Sequence, residues 1–171
     1  MARGAWWRGT TPLRSNRSFR FDATPEEVWA LMADVHHYRT WWSWLHELEA
    51  TRLAAGEVWR CRVQPPLPYQ VRFSVRLDQV VELQRVSGTV SGDVAGTASI
   101  ELARTARGTT VHLVSSLVPR HPALRALSIV GGPMIRAGHD WVLDAGARDF
   151  DRRALSRRAH VRPRPHRSRT H

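Results

Sequence analysis

A histidine beside an aspartate, His139-Asp140, is the pair in this 171-residue chain best suited to move a proton. Imidazole titrates near neutrality, so it can donate to a carbonyl or act as general acid or base. The pair lies in a stretch with helical spacing, where adjacent side chains point about 100° apart. Asp140 therefore need not face the same place as His139. Pairing with an arginine, or with strand or loop backbone, is the favoured expectation for it, because buried polar groups find partners. No compelling acid/base pair completes a set, and His139 is the catalytic candidate, with a tyrosine as the other group able to move a proton.

The densest aromatic patch is Trp41, Trp42 and Trp44. An indole has a large flat apolar face and one N–H donor, which suits a wall or gate for a ring-shaped ligand. It suits a plain cap on the end of a sheet equally well. The other reactive residue types exclude chemistry. His36, His37, His46, His112 and His121 are scattered, and none shows the i, i+4 spacing with a Glu that a helical zinc site needs. Neither a metal nor a cofactor is expected. Cys61 is the single cysteine, able to form neither an internal disulfide nor a cysteine-rich zinc site. It falls on the apolar side of its strand, as a small hydrophobe does. Ser115 lacks a Gly-x-Ser-x-Gly setting, and Gly131-Gly132-Pro133 lacks the spacing and the lysine of a phosphate loop.

The elements that must position these groups follow from periodicity. Ser18 to Asp22 alternates polar and apolar residues, as a half-buried strand does. Thr24, Pro25 and Glu27 make a helix start, with a capping hydroxyl, proline at the first position and an acid at the third. That helix is expected to reach about Asp34 and to bury Val28, Trp29, Leu31 and Met32. A second short helical piece is expected over 36–42. Strands are predicted over 44–53, 57–63, 69–77, 85–91, 94–102 and 109–118. The clearest sets Tyr69, Val71, Phe73, Val75 and Leu77 on one face and Gln70, Arg72, Ser74, Arg76 and Asp78 on the other. Closely spaced strands with turns between them argue for an antiparallel meander.

After Pro122 the period changes. Leu124, Leu127, Val130, Met134, Ala137, Trp141 and Ala145 fall three or four apart, as do Ile135, His139, Val142, Gly146 and Phe150. This predicts a helix with a wide apolar stripe to about Arg153, kinked at Gly131-Gly132-Pro133. An antiparallel sheet exposes an apolar face that something must cover, and this helix is the one element long enough. Gly96, Ala98, Ser115, Gly138, Ala145 and Gly146 are small where inward positions are expected, so the sequence predicts a pocket rather than a filled core. The residues expected on its wall are Trp41, Trp42, Trp59, Phe73, Val75, Ala98, Leu113, Ser115, His139 and Val142.

The net charge of +11 suggests nucleic acid until it is divided along the chain. Residues 1–20 hold five Arg and no acid, and 151–171 hold eight Arg and one Asp. Between them, thirteen Arg face fourteen acids. The basic character sits in the two ends, where solvated tails are expected and attachment to nucleic acid or an anionic surface is the weaker alternative. The expected organisation is a basic extension at 1–14, one domain at 15–155 and a disordered Arg/Pro-rich tail at 156–171. No window approaches the roughly 18 apolar residues of a membrane span. The start lacks the apolar run of a signal peptide, and a cytoplasmic location is expected.

Three segments in this order resemble a known family. Thr24-Pro-Glu-Glu-Val-Trp-Ala-Leu-Met-Ala-Asp34, with Tyr38 and Trp41-Trp-Ser-Trp44, is similar to the opening of polyketide cyclase/dehydrase-like proteins of the START (SRPBCC) superfamily. Val90 to Ala98 and Gly138-His-Asp-Trp-Val142 with Gly146 resemble its middle and its last helix. The resemblance spans about residues 15–155 and implies an α+β helix-grip fold. In that fold a curved antiparallel sheet of six to seven strands wraps a long C-terminal helix, with two short helices after the first strand. It implies a cavity for a lipid or a polyketide-like molecule and carries over no catalytic residues. A binder of a hydrophobic small molecule is therefore the favoured reading, and a cyclase, aromatase or dehydratase acting on a held ligand is the alternative. Oligomeric state is not legible.

Overall fold

Seven antiparallel strands, three helices and a closing turn make up the described part of the chain, residues 11–156 of a computed structural model. Of the tail expected at 156–171, only Ser156 is described; residues 157–171, like the first ten, lie outside the described residues. In chain order the elements are β1 (Leu13–Phe21), α1 (Pro25–Ala33), a 3₁₀ turn (Val35–His37), α2 (Tyr38–Trp41), β2 (Leu45–Glu49), β3 (Val58–Val63), β4 (Val71–Val81), β5 (Arg85–Gly92), β6 (Val94–Thr105), β7 (Gly108–Pro119) and α3 (Pro122–Asp149). A wider, π-type turn, Phe150–Leu155, ends the helix. The strands lie in the order β1-β7-β6-β5-β4-β3-β2. The meander β2 to β7 follows the sequence, and β1 returns to pair with β7, Leu13 opposite Leu117 and Phe21 opposite Thr109. The sheet curls around α3, which is the helix-grip architecture.

Local chemistry sets the ends of these elements. Thr24 Oγ1 accepts from the backbone N–H of Glu27 at 3.3 Å, and the Glu27 carboxylate accepts from the backbone N–H of Thr24 at 3.0 Å. This reciprocal cap, with Pro25 behind it, starts α1 where the sequence predicts. Gly131 leaves helical geometry (φ −132°, ψ 37°), so α3 bends just ahead of Pro133.

Three expectations are corrected. First, β1 starts at Leu13 rather than Ser18. Ser15 and Arg17 occupy inward positions there, which breaks the alternation a reader looks for. Arg17 is accommodated because Nη2 lies 3.2 Å from Asp140 and Nη1 2.7 Å from Asp144, carboxylates one turn apart on α3. Second, β4 runs past Leu77 to Val81 through a bulge that shifts register between Leu77 and Gln79. Third, the first of the two helical sets is enclosed only in part: Leu124 and Ala145 are buried with Ile135 and Phe150 of the second set, whereas Leu127 and Met134 are 36% and 44% exposed.

The dense core lies at one end of the space between sheet and α3. Phe21, Val28, Leu31, Val35, Tyr38, Trp41, Val111 and Phe150 pack together there. Two long-range bonds tie α2 to the helix end: Trp42 Nε1 donates to Gly146 O (2.9 Å) and Arg153 Nη1 to Trp41 O (3.1 Å). The middle of the same space is not filled.

Candidate functional site

Two adjoining chambers occupy that space. The first, about 310 Å³, lies beside the dense core, between α1, α2, the sheet and the second half of α3. The second, about 260 Å³, continues along the sheet beneath the middle of α3. Trp44, Leu113, Val142 and Leu143 line both and form the waist between them. The first is at the small end of the roughly 300–1,000 Å³ of small-molecule sites and the second falls just below it; jointly they lie within the range.

The first chamber is walled by indole and hydrocarbon. Trp42 and Trp44 stack with ring centroids 5.6 Å apart, and Tyr38 meets Trp42 edge-on at 4.7 Å and Trp59 at 5.9 Å. Its polar atoms are already engaged. The Tyr38 hydroxyl donates to Met32 O, Trp42 Nε1 to Gly146 O, and Trp59 Nε1 to Arg52 O at 3.0 Å. What faces the space is carbon. At the waist, Trp44 Nε1 has no acceptor among the described residues.

The second chamber differs. Tyr69, Ser115 and His139 join Val63, Val71, Phe73, Val75 and Ala98 on its wall. Ser115 Oγ and His139 Nε2 lie 3.5 Å apart, at the outer limit of a hydrogen bond. Tyr69 ends a loop organised by Gln64, whose Nε2 donates to the carbonyls of Pro65, Leu67 and Tyr69. The loop can lie close to α3 because residue 138 is glycine. A Cβ there would stand 2.6 Å from Leu67 Cδ1 and 3.1 Å from the Tyr69 hydroxyl. Burial holds the His139 imidazole below its ordinary pKa. Arg136 and Arg17 push the same way, and Asp140 opposes them. Burial also raises the Tyr69 phenol. Both groups are uncharged at neutral pH.

A larger concavity, about 520 Å³, lies elsewhere, on the β2–β5 part of the sheet. It is an open trough in which Arg62 pairs with Glu47 and Arg60 with Glu49 at 3.4 Å, and the Asp93 carboxylate accepts from the Arg72 backbone N–H at 2.8 Å. Its openness and internal pairing make it a weaker candidate than the two chambers.

Residues 12–155 match the model of a family described as polyketide cyclase / dehydrase and lipid transport. The chain belongs to this family. Solved structures of the same fold include the Zhui aromatase/cyclase from Streptomyces sp. R1128, at 15% identity over 85% of this chain and 96% of that one, TM-score 0.61. TTHA0849 from Thermus thermophilus is 18% identical over 85% and 98% of the two chains, TM-score 0.61. SA2116 from Staphylococcus aureus is 13% identical over 87% and 98%, TM-score 0.60. At such identities the likeness concerns the fold. No curated protein matches the sequence.

For this polyketide cyclase/dehydrase family member, nine of the ten residues expected on the pocket wall line one chamber or both. Trp42 and Trp59 line the first chamber; Phe73, Val75, Ala98, Ser115 and His139 line the second; Leu113 and Val142 line both. Trp41 lines neither. It is 4% exposed and packs against Tyr38 and Phe150 in the dense core, so for this residue the capping alternative holds. Asp140 points away from His139's wall to Arg17, the arginine partnership expected of it. Of the small positions, Ala98, Ser115, Gly138 and Gly146 line the space, whereas Gly96 and Ala145 do not. Gly96 serves the sheet instead: at φ +152° a Cβ would lie 1.9 Å from Ser116 O. Trp44, singled out with the aromatic patch, lines both chambers, whereas sequence reasoning missed Tyr69, Tyr38 and Leu143 as wall residues. Tyr69 had a signal, because it heads the apolar face that continues through Val71 and Phe73.

Proposed function

We propose that this protein binds a hydrophobic small molecule, a lipid or a polyketide-like compound, along the two chambers. The observation that carries the reading is a carbon-lined hollow under α3 whose first-chamber donors, apart from Trp44 Nε1 at the waist, are engaged by the protein itself. An occupant covering about 300 Å² of that wall would gain on the order of 7 kcal/mol from burial, before the cost of ordering it. The neutral fluorescent probe N-phenyl-1-naphthylamine tests this. The intact protein is expected to bind it, and Trp42→Ala and Phe73→Ala are each expected to weaken uptake several-fold. Unchanged uptake in both variants would overturn the reading.

A second reading, catalysis of cyclisation, aromatisation or dehydration on a poly-β-ketone, has one observation behind it. His139, Ser115 and Tyr69 share one wall, where a held chain could be folded into a reactive conformer and a proton moved. Turnover that is lost in His139→Ala while probe binding persists supports it; full turnover in that variant removes His139 from the role. A cytoplasmic location is part of the proposal, consistent with one partly buried thiol, Cys61, whose pKa burial pushes up to about 12.

A further inference from the structure

We infer that the cavity selects uncharged molecules, and that the oxygen-bearing end of such a molecule lodges in the second chamber, against Tyr69, Ser115 and His139. Its carbon skeleton then crosses the waist onto Trp42, Trp44 and Trp59. The inference rests on the proposed small-molecule binding and narrows its ligand class.

Charge comes first. Among the described residues that line either chamber, none is Arg, Lys, Asp or Glu. The cations nearest His139 line neither chamber. Arg17 holds Asp140 and Asp144, and Arg136 Nη1 lies 3.5 Å from the backbone oxygen of Arg14. The titratable groups on the walls, Tyr38, Tyr69 and His139, are each shifted by burial toward the neutral form. A carboxylate entering this space leaves water without meeting a counterion, and an unpaired buried charge is strongly disfavoured. An ester, ketone, alcohol or phenol of the same shape meets no such penalty.

Polarity then sets direction. In the first chamber Tyr38, Trp42 and Trp59 have already given their donors to backbone carbonyls. Beyond the waist the opposite holds. The Tyr69 hydroxyl bonds to no other group among the described residues, and Ser115 and His139 have only their 3.5 Å contact with each other. All three groups can donate as well as accept, so they suit a carbonyl or hydroxyl oxygen without needing a charge on it. A ligand lying the other way would bury its oxygen among indole faces, with Trp44 Nε1 at the waist as a single donor, and leave these three groups unpaired.

Displacement of N-phenyl-1-naphthylamine from the full chain at pH 8 tests both parts, using naphthalene, 2-acetylnaphthalene, methyl 2-naphthoate and 2-naphthoate. The neutral compounds are expected to compete, and 2-naphthoate to be at least about 100-fold weaker than its methyl ester, as an uncompensated carboxylate should be. Competition by 2-naphthoate within threefold of the ester would overturn the charge selection while leaving the hydrophobic cavity standing. If neither the probe nor any naphthalene binds, the cavity reading fails and this inference falls with it. For direction, Tyr69→Phe and Ser115→Ala are expected to lower affinity for 2-acetylnaphthalene relative to naphthalene by about fivefold, the worth of one hydrogen bond. A ratio unchanged in both variants would overturn the placement of the oxygen, and naphthalene itself reports whether each variant still holds its cavity.

Discussion

Consecutive tryptophans sit in two regions that resemble each other in composition and differ in packing. Trp41, in the dense end, is surrounded, with Tyr38 at 5.6 Å, Phe150 at 5.9 Å and Trp42 at 6.2 Å. Trp42 and Trp44 stack on each other and line open space. The dense end is closed because α1, α2 and the π-type turn converge on it from outside the sheet. The two chambers lie under α3 where it presents Gly138 and Gly146, and α1 and α2 border the first without filling it. Aromatic richness therefore does not distinguish core from binding wall; how completely the surrounding elements close over a residue does.

That contrast can be broken by mutation. The largest effect is expected for Trp41→Ala, a loss of about 3–5 kcal/mol in unfolding free energy, the usual penalty for emptying an aromatic site in a packed core. Denaturant titration reads it. Trp42→Ala is expected to cost less than half of that while weakening probe binding several-fold. Equal stability losses in the two variants would erase the distinction between the regions.

A pH series sharpens it next. His139 is neutral and faces Ser115 from β7, with Arg17 of β1 and Arg136 and Asp140 of α3 nearby. Its folded pKa is lowered, so the unfolded chain takes up a proton more readily. Its contribution is fully present above the ordinary imidazole value, about 6.5, and is lost as pH falls from there through the folded pKa. Replacing His139 with Asn is expected to flatten stability between pH 7 and 5 relative to the parent, and an unchanged slope would show that His139 is not the group being titrated.

Gly138→Ala should have the smallest effect on stability. Alanine favours the helix by about 0.5–1 kcal/mol, and the crowded atoms are the ends of Leu67 and Tyr69, which can shift. Stability is expected to stay within about 1 kcal/mol while uptake of 2-acetylnaphthalene falls.

Much of this architecture is legible in the sequence itself. The alternation in 69–77, the cap at Thr24 and the glycine-proline kink in the last helix each state a local rule that nothing else contradicts. The failures occur where a distant partner sets the rule. Arg17 sits at an inward strand position because Asp140 and Asp144 wait on a helix more than a hundred residues away, and no window of β1 shows that. The two apolar sets on α3 are alike in sequence, and only the direction of the sheet decides that Phe150 is enclosed while Met134 is not. The difference between Trp41 and Trp42 is of the same kind.

A crystal structure of the protein with N-phenyl-1-naphthylamine separates an occupied hollow from a filled one. Density for the probe is expected between α3 and the sheet, touching Trp44 and Val142 at the waist of the two chambers. Side chains closing that space, with the probe absent or seated in the outer trough beside Glu47 and Arg62, would contradict the small-molecule reading.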